Sequence, residues 1–175
     1  MKDYECGYNP YKKTTSPCCN SKHDHNSCPN NQIVEFRYDE TPTTPVGIVI
    51  SEDPDDPTQA LAVRFDEINP GDRVWLSGVI CVNNSDTDLA RTLRLVIQKI
   101  SPITGTPEPI YTLFAEIDAE TITSDDFTVV PFSHVDVSNT QLFDVQYRVV
   151  LAVTAGDPNV FLESPNTLTA VRFGK

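Results

Sequence analysis

LFDVQYRVVLAVT, residues 142–154, decides the fold. Val145, Tyr147, Val149, Leu151 and Val153 fall on one side of an extended chain, with Gln146, Arg148, Val150 and Ala152 on the other. Side chains of a strand alternate between its two faces. One face is therefore expected in a core and the other in water, the pattern of an antiparallel sheet. Arg91–Ile100 repeats it, with Leu93, Leu95 and Ile97 facing away from Arg94, Gln98 and Ile100.

Outward from these two, runs rich in Val, Ile, Phe, Tyr and Thr alternate with clusters of Pro, Asn, Asp and Gly. The spacing predicts strands at Gln32–Tyr38, Val46–Ser51, Gln59–Ile68, Arg73–Asn84, Arg91–Ile100, Ile110–Asp118, Phe127–Val137, Leu142–Thr154 and Leu168–Phe173. Turns are expected at Asn69-Pro70-Gly71-Asp72, Asn83-Asn84-Ser85-Asp86, Asp157-Pro158-Asn159 and Ser164-Pro165-Asn166. No stretch carries a helical period beyond about two turns. The expected class is all-β: an antiparallel two-sheet sandwich, a jelly roll, spanning residues 32–175. Ile33, Val34 and Phe36 are expected to begin its core.

Residues 1–31 have a different texture. They hold Asn, Ser, Thr, Pro, Lys and Cys without periodicity, and Tyr4, Tyr8 and Tyr11 are their only large apolar groups. Such a segment buries too little surface to offset its ordering entropy, so it reads as an extended N-terminal arm. The chain carries 13 basic and 25 acidic residues, net −12; the arm has four Lys and three acids, net +1, so the body is net −13. A body this acidic argues against nucleic acid, whose binding needs clustered Lys and Arg. No apolar run reaches the about 18 residues of a membrane span, and Met1-Lys2-Asp3-Tyr4-Glu5-Cys6 has no signal-peptide core.

Four of the five cysteines, Cys6, Cys18, Cys19 and Cys28, lie in the arm; Cys81 is alone in the body. One sulfur cannot staple a domain internally, so the distribution points to intermolecular bonds or to metal. Cys18, Cys19, His23, His25 and Cys28 supply soft ligands, but no C-x-x-C exists and adjacent cysteines chelate one tetrahedral ion poorly. His23-Asp24-His25 also resembles the paired histidines of cupins, though it sits in the polar arm rather than at a strand end. Disulfide chemistry is favoured. Cys81, between Ile80 and Val82, reads equally as a small buried thiol or as a bonded one.

Elsewhere the candidates are weaker. Ser133-His134 lies in a predicted strand without a G-x-S-x-G elbow. Glu52-Asp53-Pro54-Asp55-Asp56-Pro57 and Asp125-Asp126 lack EF-hand spacing, and the first reads as a solvated loop tip. No phosphate-cradling or dinucleotide loop is present. The chain is not expected to be an enzyme or to need a cofactor.

The leaderless Met start, the arm pair Cys18-Cys19, Cys28 just ahead of the first body strand, and one jelly-roll-like domain resemble the subunits of bacterial endospore appendages. Proteins of the exosporium surface are similarly built. The resemblance implies a self-assembling structural subunit of an extracellular fibre or spore-surface layer, made in the cytoplasm without a signal peptide. It implies arm cysteines that reach into a neighbouring copy and bond after lysis of the mother cell. By position Cys18 and Cys19 match the arm pair and Cys28 the acceptor. Leu168–Phe173 lacks the cysteine usual in that family's last strand, so Cys81 and Cys6 complete the candidates. The implied partners are copies of this chain, in an open homopolymer, and other spore-surface or fibre proteins. Two other readings stay open: a jelly-roll binding or adhesion module of a phage or cell surface, and a metal-binding cupin-like enzyme.

Overall fold

The computed structural model describes residues 32–41, 47–86, 88–119, 127–154 and 159–175. Among them are nine strands and no helix. They are β1 (Ile33–Glu40), β2 (Ile48–Val49), β3 (Thr58–Ile68), β4 (Arg73–Asn84), β5 (Arg91–Ile100), β6 (Glu108–Ile117), β7 (Phe127–Val137), β8 (Leu142–Thr154) and β9 (Val160–Phe173). The predicted bounds of β4, β5, β7 and β8 are those observed.

One sheet has the order β1-β9-β4-β7, with β2 also on β9; the other has the order β3-β8-β5-β6. All pairs are antiparallel. Every connection except β1–β2 and β5–β6 crosses between the sheets, which is the strand order of a jelly roll. Between the sheets lie the alternate residues that the sequence assigned there. Val145, Tyr147, Val149, Leu151, Leu93, Leu95 and Ile97 are fully buried, against Phe65, Leu76 and Ile80. Each such side chain contributes about 1.5–3 kcal/mol by leaving water. The Tyr147 ring meets Phe65 edge-on at 6.1 Å, a favoured aromatic geometry.

Three expectations are corrected. First, β1 does not begin the core. Its inward positions are Glu35, Arg37 and Asp39, while Ile33, Val34 and Phe36 are 66%, 52% and 58% exposed. The inward polar groups have work to do at the margin where β1 meets β3. Asp39 Oδ2 accepts the Ala62 N–H at 2.7 Å, and Arg37 Nε donates to the Arg64 carbonyl at 2.9 Å. These atoms belong to the side of β3 away from β8, so side chains satisfy an edge that would otherwise be open. Arg172, at the base of the sandwich, likewise lies 3.3 Å from both Glu35 and Asp72.

Second, Ser164-Pro165-Asn166 is no turn between strands: β9 runs through it from Val160 to Phe173. Val79 is opposite Thr167 and Cys81 opposite Glu163, so Ile80 alone faces the three residues. The fully buried Asn166 fills the interrupted ladder. Its Oδ1 accepts the Cys81 N–H at 2.7 Å and its Nδ2 donates to the Glu163 carbonyl. The same irregularity brings the Thr167 carbonyl to 2.0 Å from where a Cβ on Gly78 would stand, so only glycine fits there.

Third, the outer face of β8 is not all wet. Val150 and Ala152 are buried, with Val96 beside them, because Pro54 and Pro57 of the acidic loop fold over them. The loop's carboxylates remain exposed, as expected of a loop tip. The strand predicted at Val46–Ser51 is the two-residue β2, with Val46 outside the described residues.

Candidate assembly surface

Cys81 is the one candidate cysteine within the described residues; Cys6, Cys18, Cys19, Cys28, His23 and His25 lie outside them, as do Asp125, Asp126, Asp157 and Pro158. On β4 the core positions are Val74, Leu76, Ile80 and Val82, so alternation turns Cys81 to the outside of its sheet. It is nonetheless only 7% exposed, set between Val129 of β7 and Glu163 of β9, and its thiol is free. Burial, then the Glu163 carboxylate, pushes the thiol above its ordinary range. Little thiolate forms at neutral pH, so Cys81 is a poor nucleophile and a poor metal ligand. Among the described residues no three His, Cys, Asp or Glu side chains are grouped to hold a metal ion.

The outside of the first sheet carries an unbroken apolar row. Phe36 of β1 is in register with Val171 of β9, Val171 with Trp75 of β4, and Trp75 with Val135 of β7. Phe36, Trp75 and Val135 are 58%, 42% and 51% exposed. Val34, Tyr38, Val137 and Val129 extend the exposed area on the same face. The Trp75 indole is fixed by donating to Ser133 Oγ at 2.9 Å. The sequence alone does not show this row, since its pattern puts Phe36 toward the core and leaves the face of Trp75 open. Their relation appears only when β9 pairs with both strands. The outside of the second sheet contrasts with it, bearing Arg64, Asp66, Arg94, Glu116 and Arg148. There Arg148 donates to Gln98 at 2.7 Å.

Ser133 and His134 point to opposite faces of β7. Ser133 serves Trp75, and the half-buried His134 ring lies 5.4 Å from that of Tyr111, across the seam between β6 and β7. They form no catalytic pair. Next along the strand, Asp136 turns inward. Its Oδ2 accepts from the Tyr147 hydroxyl and from Lys99 Nζ, each at 2.7 Å, and so ties β7 to both β8 and β5. Close by, a cleft of about 510 Å³ opens between the Ser101–Glu108 and Val137–Leu142 connections, lined by Lys99, Thr104, Glu108, Asn139 and Gln141 among others.

No family model matches the chain, and no curated protein does. Solved structures do match. The Eiger TNF of S. frugiperda aligns over 80% of this chain and 94% of its own, with 11% identity and a TM-score of 0.41. The infectious bursal disease virus T13 particle aligns over 78% of this chain and 30% of its own, with 12% identity and a TM-score of 0.44. For the Gt strain of that virus the figures are 91%, 35%, 12% and 0.40. The chain thus spans about a third of the length of the viral chains it matches.

Proposed function

We propose that this chain is a self-assembling structural subunit of an extracellular fibre or spore-surface layer, joined through residues 1–31 and locked by intersubunit disulfides. One observation carries the reading. The described strands, Ile33 to Phe173, make both sheets of a jelly roll and hold one cysteine, Cys81, while the sequence puts the other four ahead of them. In this reading those four cysteines serve contacts between copies, and a segment given by one copy to the next makes a heterologous, open-ended array. Cys18, Cys19 and Cys28 are the principal bonding residues, with Cys6 in support; Cys81, buried and with a raised pKa, is the last to react. Negative-stain microscopy of the purified chain under oxidising conditions tests this: fibres or sheets are expected, and discrete particles alone would refute it.

A second reading is a binding or adhesion module, favoured by the cleft between Ser101–Glu108 and Val137–Leu142, whose volume is that of a small-molecule site. Discrete oligomers that retain a small ligand would support it instead.

A further inference from the structure

The residues that turn outward on β1, β9, β4 and β7 include just two carboxylates, Glu40 and Glu163, among the described residues. Both lie away from the Phe36–Val171–Trp75–Val135 row. Of the body's 22 acids and nine bases, the described outward positions of these four strands hold only Glu40, Glu163 and, two residues before Trp75, the exposed Arg73. An aromatic-bearing apolar row with carboxylates kept to its surroundings and an Arg beside it is the composition of an interface core. We propose that two copies of this chain pair sheet to sheet through it.

Charge selects a second copy as the occupant. Two bodies of net −13 repel wherever carboxylates face each other, and on this face both carboxylates lie outside the apolar row. The N-terminal segment, net +1 with four lysines, would gain little charge pairing from an apolar row that no carboxylate borders. Area agrees. The twelve residues of β4 extend about 40 Å and four strands at about 4.8 Å span roughly 19 Å. The face thus covers roughly 750 Å², close to the about 800 Å² per partner of a stable interface. Trp75, on an interior strand and held by Ser133, is the preordered anchor such contacts favour. Because each copy offers the same patch, the pair is closed and two-fold, with the sheets about 10 Å apart. Within the assembly proposed above, and resting on that reading for its use, the pairing would join two arm-linked rows into a double strand.

Sedimentation equilibrium of the full chain in reductant tests the pairing without disulfides. The parent is expected at twice the chain mass in the low micromolar range. Trp75→Asp and Val135→Asp are each expected to weaken the pair at least about 100-fold, and Phe114→Asp, a more exposed aromatic site on the other sheet, to leave it unchanged. Circular dichroism verifies folding; should Trp75→Asp not fold, the half-exposed Val135 position decides. A monomeric parent at 100 micromolar (about the upper working range), or a pair that survives both substitutions together, overturns the proposal. Microscopy of the oxidised chain separates the two ideas. Dimers without fibres refute the assembly reading alone, and fibres from a parent that is monomeric in reductant refute the pairing alone.

Discussion

The carboxylate of Asp39 accepts the backbone N–H of Ala62 at 2.7 Å, joining the edge strand of one sheet to the edge strand of the other. With Arg37 on the Arg64 carbonyl, it replaces ladder partners that β3 lacks on that side. A hydrogen bond to a charged group contributes about 1.5–3 kcal/mol, and an open edge invites a foreign strand. Asp39→Ala is therefore expected to lower stability by about 2 kcal/mol and to raise aggregation on mild heating, with Arg37→Ala the smaller loss. Urea midpoints and light scattering measure both. An Asp39→Ala chain with an unmoved midpoint would show that β3 needs no cap.

Asn166 stands in for three residues' worth of ladder. Removing its side chain strands the Cys81 N–H and the Glu163 carbonyl in a buried setting, where each unpartnered group costs about 1–3 kcal/mol. Asn166→Ala should lose about 2–4 kcal/mol, and the Cys81 amide should exchange with solvent much faster than those of Leu76 or Val82. Uniform exchange across β4 in the variant would contradict this role.

Tyr147 gives the fold an alkaline limit. Burial, then the charge of Asp136 and the hydrogen bond to it, raise its phenol well above the ordinary 10.0. The unfolded phenol ionises near 10 while the folded one keeps its proton. Above that pH the folded state binds more protons, and stability falls as pH rises, by about 1.4 kcal/mol per unit at most. Below pH 10 the contribution is fully present. Melting temperatures of the parent should drop from pH 10 upward more steeply than those of Tyr147→Phe. The variant itself should be about 1–2 kcal/mol less stable at pH 7, since Asp136 keeps only Lys99. Curves that stay parallel from pH 7 to 11 (roughly the reach of the ionisation) would refute it.

What the sequence showed and what it hid divide along physical lines. β4, β5, β7 and β8 were legible because each pairs on a regular ladder and buries one alternate set, so period and boundary coincide. β1 has an equally clear alternation, yet Glu35, Arg37 and Asp39 face inward. A period of two separates the faces without saying which is inside, and here the deciding contacts come from Ala62, Arg64 and Arg172. Ser164-Pro165-Asn166 has the chemistry of a turn, and an irregularity inside a strand uses the same residues for the same reasons. The outer row joins positions 36, 75, 135 and 171, a relation that no local pattern encodes.

The adjacent pair Cys18-Cys19 is the device on which the assembly reading turns. Neighbouring cysteines bond to each other only through a strained eight-membered ring. In an extended segment their side chains point to opposite sides, so the pair is placed to reach two acceptors rather than one. A single bond per segment would leave a chain that one reduction event severs; two give a linkage that survives it. Unfolding a subunit does not break a covalent link, so the parent assemblies should resist boiling detergent and dissolve when reductant is added. Cys18→Ser with Cys19→Ser should still assemble, through non-covalent contacts, but dissolve in hot detergent, and either single change should give an intermediate result. Mass spectrometry after alkylation adds the location: Cys81, buried with a raised pKa, should be found unbonded and slow to label until urea is present. A double variant as detergent-resistant as the parent would show that these sulfurs are not the lock. Sensitivity of the same assemblies to a chelator would then move the role to metal held by Cys28, His23 and His25.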